Sequence, residues 1–159
     1  MAAEKSPSVE SIAARLIGTT RLVAATPEQL FAAFSDPLRL TQWWGPKDFT
    51  STFQEFDLRP GGKWRLVLHS PDGTDYPNDK EFVEVTNPTR VVIRNHCHTH
   101  GFMMTIAFTA ENGGTRVTWQ LLFDDAAEAT QVREFVTVAN EQNLDRLEAH
   151  LATFLPTKS

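Results

Sequence analysis

Residues 102–154 read FMMTIAFTAENGGTRVTWQLLFDDAAEATQVREFVTVANEQNLDRLEAHLATF, and the architecture follows from how this stretch is patterned. Its first part alternates. Phe102, Met104, Ile106 and Phe108 share one face; after Asn112-Gly113-Gly114, so do Val117, Trp119, Leu121 and Phe123. Period-two patterning on both sides of such a turn predicts a β-hairpin, Phe102–Ala110 with Thr115–Phe123. The period then changes. Asp125-Ala126-Ala127-Glu128 has the spacing of a capping box, and neither proline nor glycine interrupts the chain through Leu155. A single helix from Ala126 to about Phe154 is expected, roughly 40 Å long at about 1.5 Å per residue. Its apolar stripe takes in Val132, Phe135, Val136, Ala139, Leu144, Leu147, Leu151 and Phe154.

Upstream of the hairpin the same signals recur. Phe49–Leu58, Lys63–His69, Lys80–Thr86 and Arg90–Cys97 read as strands, separated by Arg59-Pro60-Gly61-Gly62, Pro71-Asp72-Gly73 and Asn87-Pro88. Arg15–Ala25 is a further strand. Thr26-Pro27-Glu28-Gln29 then starts a short helix with Leu30, Phe31 and Phe34 on its buried side. Ser35-Asp36-Pro37 starts another, which runs to about Trp43 and stops at Gly45-Pro46. Connections among the later strands are too short for parallel crossovers, so the sheet is antiparallel. One apolar sheet face must be covered, and only the last helix is long enough to do it. The expected fold is α+β: a curved seven-stranded antiparallel sheet wrapped around a long C-terminal helix, with two short helices after the first strand. Residues 1–14 are expected to be a flexible tail, 15–155 one domain and 156–159 a short C-terminal tail.

Composition bounds the function. The chain has 159 residues, with 15 Lys+Arg against 20 Asp+Glu and a net charge of −5. That balance argues against a nucleic-acid binder, whose affinity comes largely from neutralising phosphates. No apolar run approaches the roughly 20 residues needed to span a bilayer, and Met1–Ser11 lacks the apolar stretch of a signal peptide. A single cysteine forms no internal disulfide and fits a reducing compartment; the expected location is cytoplasmic.

Thr26-Pro27-Glu28, Asp36-Pro37, Trp43-Trp44-Gly45-Pro46 and the run from Asp57 to Trp64 together resemble the activator-of-heat-shock-protein-90 ATPase homologue family, within the START-like (SRPBCC, birch-pollen-allergen-like) superfamily. Asn87-Pro88-Thr89-Arg90-Val91-Val92 and Gly113-Gly114-Thr115-Arg116-Val117-Thr118-Trp119 resemble two of its strand entries, and Asn140–Leu147 resembles the helix of a bacterial subgroup. The likeness runs in order from Arg15 to Phe154. It implies the helix-grip fold and a superfamily habit of binding lipids, hormones or polyketides between sheet and helix. The eukaryotic chaperone activator carries a second, larger domain, for which this chain has no room; co-chaperone activity is therefore not implied.

The candidate ligand-binding residues are Trp44, Phe49, Trp64, Phe102, Met104, Trp119, Phe135, Asn140 and Asn143. The aromatic members suit a ligand cavity with indole N–H handles, and they equally suit plain core packing. Asn140 and Asn143 lie along the helix stripe, where a buried amide needs a partner: either a polar ligand group or loop backbone. His96, His98 and His100 would share a strand face but have no carboxylate nearby in sequence, and they read as turn residues. Cys97 reads as a small buried thiol, since its histidine neighbours point to the opposite face. Asp57 and Arg59 are expected to pair beside a glycine turn that is no phosphate loop. No metal or other cofactor is expected. The leading expectation is binding of a small hydrophobic or amphipathic molecule. A polyketide-cyclase or hydrolase-like cavity enzyme, with His69 and Glu55 as the nearest titratable groups, is the alternative; a chaperone-interacting protein is the third reading. Oligomeric state stays open.

Overall fold

The computed structural model describes residues 9–95 and 101–154. In chain order the elements are α1 (Val9–Arg15), β1 (Leu16–Val23), α2 (Pro27–Ser35), α3 (Pro37–Trp43), β2 (Thr50–Phe56), β3 (Lys63–His69), β4 (Asp75–Thr86), β5 (Arg90–Asn95), β6 (Phe102–Glu111), β7 (Gly114–Phe123) and α4 (Ala126–Phe154). The seven strands form one sheet in the order β1-β7-β6-β5-β4-β3-β2, antiparallel throughout. This is the expected α+β architecture. The outer strand β1 returns to pair with the last strand β7, from Leu16 opposite Leu122 to Val23 opposite Thr115.

Local chemistry accounts for the helix starts. Thr26 accepts from the Gln29 backbone N–H while Gln29 Oε1 accepts from the Thr26 N–H, which closes the capping box of α2. Asp36 caps α3 through the Leu38 N–H, and each of these helices has proline at its start. The turn before β3 needs its glycines. A Cβ on Gly62 would stand 1.9 Å from the Asp57 carbonyl oxygen, and Gly61 has φ +85°. Arg59 Nε donates to Asp57 Oδ2 at 2.8 Å, the expected pair. The Gly61 N–H donates to Phe82 O and the Phe82 N–H to Gly62 O, so the motif ties the β2–β3 connection to β4.

Two boundaries and one buried face depart from the sequence reading. Residues 9–14, expected to end a tail, and Arg15, expected to open the first strand, form α1. Arg133 of α4 holds the junction after it, donating to Leu16 O at 2.8 Å and Ala14 O at 3.0 Å. A side chain 117 positions away does this work, and no local pattern encodes it. Strand β4 begins at Asp75 rather than Lys80. Proline is confined to sheet edges and bulges, and β5 pairs with β4 only from Lys80 onward, so Pro77 lies where β4 has β3 as its one described neighbour. Finally, Phe135 was assigned to the buried stripe of the long helix and is 69% exposed; the inward line instead includes Ala129, Asn140, Asn143, Leu144, Leu147 and Leu151.

The buried core takes in α2, α3, the strands and Ala129, Leu144, Leu147 and Leu151 of α4, and its tryptophans gather at the end where α3 meets the sheet. Phe34 of α2, Trp43, Trp44, Trp64 and Trp119 form a continuous aromatic cluster. Trp44 stacks on Trp119 with centroids 5.4 Å apart and meets Trp64 edge-on at 4.8 Å. The helix α4 is tied down near this end and near its start, and between the ties it bridges the sheet.

Candidate functional site

Sheet register builds one inward row, of which Phe123, Phe102 and Lys80 floor the site. Phe123, Phe102, Asn95, Lys80, Trp64 and Phe56 stand opposite one another in a single row from β7 to β2. Paired residues share a face, so the row faces inward as a unit. Four of its members are aromatic, one is an amide and one is a lysine.

Above this floor α4 is held by polar ties, not by close packing along its whole length. Asn143 Nδ2 donates to Trp43 O at 2.8 Å and its Oδ1 accepts from the Gly45 N–H at 3.3 Å. Arg146 Nη1 donates to Gly45 O at 3.0 Å and Pro46 O at 2.9 Å. Arg146 Nη2 also donates to Gln42 O at 3.3 Å in the last turn of α3, where a cation suits the helix dipole. On the other side Arg21 of β1 meets Glu141, Asp145 and Glu148 at 2.6, 2.8 and 2.9 Å. With Arg133 at the helix start, α4 is suspended over the sheet.

The suspension leaves a cavity of about 320 Å³. Small-molecule pockets run from about 300 to 1,000 Å³. Trp44, Phe102, Met104, Trp119 and Leu121 line it from loop and sheet; Val132, Phe135, Ala139, Asn140 and Asn143 line it from the helix. Of the nine residues expected at a site, seven are here: Trp44, Phe102, Met104, Trp119, Phe135, Asn140 and Asn143. Two are not. Trp64 is fully buried in the core, its Nε1 donating to Asn78 Oδ1 at 3.3 Å. Phe49 packs outside the cavity with its ring 6.4 Å from Tyr76. Both belong to the packing alternative for aromatics.

The polar inventory of the cavity is small and uneven. Asn143 is spent on backbone. Asn140 is 8% exposed and Trp119 1%, and neither Asn140 Nδ2 nor Trp119 Nε1 has a hydrogen-bond partner among the described residues. Asn78 and Lys80 also line the cavity and were not singled out from sequence. Lys80 is 4% exposed; its Nζ donates to Asn78 Oδ1 at 2.6 Å and sits 5.7 Å from the Trp64 ring centroid and 6.0 Å from that of Phe102. Burial in this aromatic surround pushes its pKa down to about 7, with the nearby Asp79 charge opposing the shift. A signal existed in the sequence. Lys80 has the same strand parity as the apolar Phe82, but Val83 and Val85 suggested the opposite inward face; a bulge between Phe82 and Glu84 reconciles the two.

The groups named for the enzyme alternative lie elsewhere. His69 Nδ1 is 2.8 Å from Asp75 Oδ1 and its Nε2 is 2.9 Å from Thr52 Oγ1, on the opposite side of β3 from the cavity-lining Leu68. Glu55 is exposed and faces Arg65 at 3.9 Å. His96, Cys97, His98 and His100 lie outside the described residues. Among the described residues no group of three or more His, Cys, Asp or Glu could hold a metal ion, and no helix is long and apolar enough to cross a membrane.

The sequence profile of the family described as Activator of Hsp90 ATPase homolog 1-like protein matches residues 24–152. Among solved structures the chain is similar to a protein from Nitrosomonas europaea, at 22% identity and TM-score 0.82 over 90% of this chain and 97% of that one. It is similar to a protein from Rhodobacter sphaeroides at 23% identity and TM-score 0.81, over 89% and 95%. It is also similar to an AHSA1 protein from Silicibacter pomeroyi at 23% identity and TM-score 0.72, over 88% and 99%. At such identities the likeness concerns the fold. No curated protein matches the sequence.

Proposed function

We propose that this chain, which belongs to the Activator of Hsp90 ATPase homolog 1-like family of the START-like superfamily, binds a small hydrophobic or amphipathic molecule between its sheet and C-terminal helix. The observation that carries the reading is the cavity beneath α4, with apolar walls and two buried N–H donors left without partners. An unsatisfied buried donor costs about 1–3 kcal/mol, and a ligand acceptor would recover it. The apolar walls supply non-directional affinity; the few polar groups would orient the guest. The enzyme alternative has lost its two named titratable groups, since neither His69 nor Glu55 lines the cavity. The chaperone alternative rests on the family description alone. A reducing, cytoplasmic setting remains the expectation from the single cysteine.

The test uses an uncharged fluorescent guest, phenyl-naphthylamine. Uptake should raise and blue-shift its emission with saturable stoichiometry of about one per chain. The intrinsic fluorescence should change in parallel, because Trp44 and Trp119 are wall residues. Emission that never saturates, or that is unchanged from buffer, would refute the reading.

A further inference from the structure

We infer that the guest is an organic anion, a carboxylate or sulfonate on an aromatic body, with its charged head on Lys80. This rests on the cavity reading above and narrows it. Among the described residues Lys80 is the one charged side chain that lines the cavity; no carboxylate does. Its ammonium group has a single hydrogen-bond acceptor, Asn78 Oδ1, which it shares with Trp64 Nε1. An ammonium can donate three bonds, so it is under-satisfied. A neutral guest would bury it further without compensation, and a cationic guest would repel it. An anion would pair with it and accept the remaining donors. The other free groups agree in sign. Trp119 Nε1 and Asn140 Nδ2 are both donors, so an oxygen-bearing body suits the rest of the cavity. Aromatic walls at Trp44, Phe102 and Trp119 favour a flat aromatic body.

Charge linkage adds a second signature. The groups opposite Lys80 on its face are Trp64 on β3 and Asn95 on β5, with Phe102 beyond on β6; none titrates. The helix contributes apolar and amide side chains to the same cavity. Asp79, exposed on the other side of β4, is the neighbouring charge that acts on Lys80. Burial lowers the pKa of the Lys80 amine to about 7. An anion favours the protonated form, so binding above that pH takes up a proton.

The experiment compares two probes that differ by one group: anilinonaphthalene sulfonate and its uncharged parent, phenyl-naphthylamine. At about pH 6 the wild-type chain should bind the sulfonate at least about tenfold more tightly than the parent. Lys80→Met should erase that preference from both sides, weakening the sulfonate and tightening the uncharged parent, whose uptake no longer buries an unpaired amine. For the wild type alone, calorimetry in two buffers of different ionisation heat at about pH 8 should show proton uptake with the sulfonate and none with the parent. A preference that survives Lys80→Met, or equal affinities in the wild type, would overturn the anion assignment with the cavity reading intact. If the wild type takes up neither probe, both readings fall.

Discussion

A lysine in an aromatic cavity is expensive, and its cost can be measured apart from any ligand. The folded chain lets Lys80 lose its proton near pH 7, whereas the unfolded chain holds it to about 10.5. Between those values the unfolded state binds more protons, so stability rises with pH, by up to about 1.4 kcal/mol per unit. Below about 7 both states are charged and the burial penalty is fully present. Lys80→Met should therefore be more stable than wild type by about 1–4 kcal/mol near pH 6, with the gap closing toward pH 10. Urea unfolding of both proteins across that range checks it. A gap that stays constant with pH would mean Lys80 is not buried as described. Why this residue escaped a reading of sequence alone is physical: strand parity assigns faces only while the register is regular, and the bulge at Phe82/Glu84 shifts it.

At the level of elements, the question is what holds a long helix off a sheet. Two asparagines one helical turn apart answer it differently. Asn143 bonds Trp43 O and the Gly45 N–H; Asn140 leaves its amide nitrogen unpaired in the cavity. Asn143→Ala should cost about 2–4 kcal/mol by stranding two buried backbone groups, whereas Asn140→Leu should fall within about 1 kcal/mol of wild type. Thermal or urea unfolding separates them, and comparable losses at both sites would contradict the assignment. From sequence the two residues were equivalent, polar positions on an apolar stripe. Their roles diverge because the loop after α3 passes under one of them. The same reasoning applies to α1, which is anchored by Arg133 across the chain, and to Phe135, whose place on the apolar stripe does not reveal where along its length α4 stands off the sheet. A helix raised on polar ties leaves such a residue at the mouth of the cavity, facing solvent.

For the molecule as a whole, the packed aromatic cluster and the cavity adjoin, and Trp44 and Trp119 belong to both. The aromatic cluster of Phe34, Trp43, Trp44, Trp64 and Trp119 concentrates packing at one end, and α4 spans the rest. Ala139 lines the cavity from the helix without entering the cluster. Ala139→Trp should occupy the space, abolish phenyl-naphthylamine uptake and leave the melting temperature within a few degrees of wild type. Retained uptake in a folded variant would place the dye elsewhere. The order of strands and helices, the antiparallel sheet and the span of the closing helix were all legible along the chain, because hydrophobic period, capping residues and turn glycines are local properties. A hollow between sheet and helix was implied by the family resemblance, but its size, its lysine and the division of labour between Asn140 and Asn143 were not legible. They depend on how far side chains such as Arg21, Arg133, Asn143 and Arg146 hold α4 from the strands, and that distance is set between residues far apart in sequence, which no local pattern records.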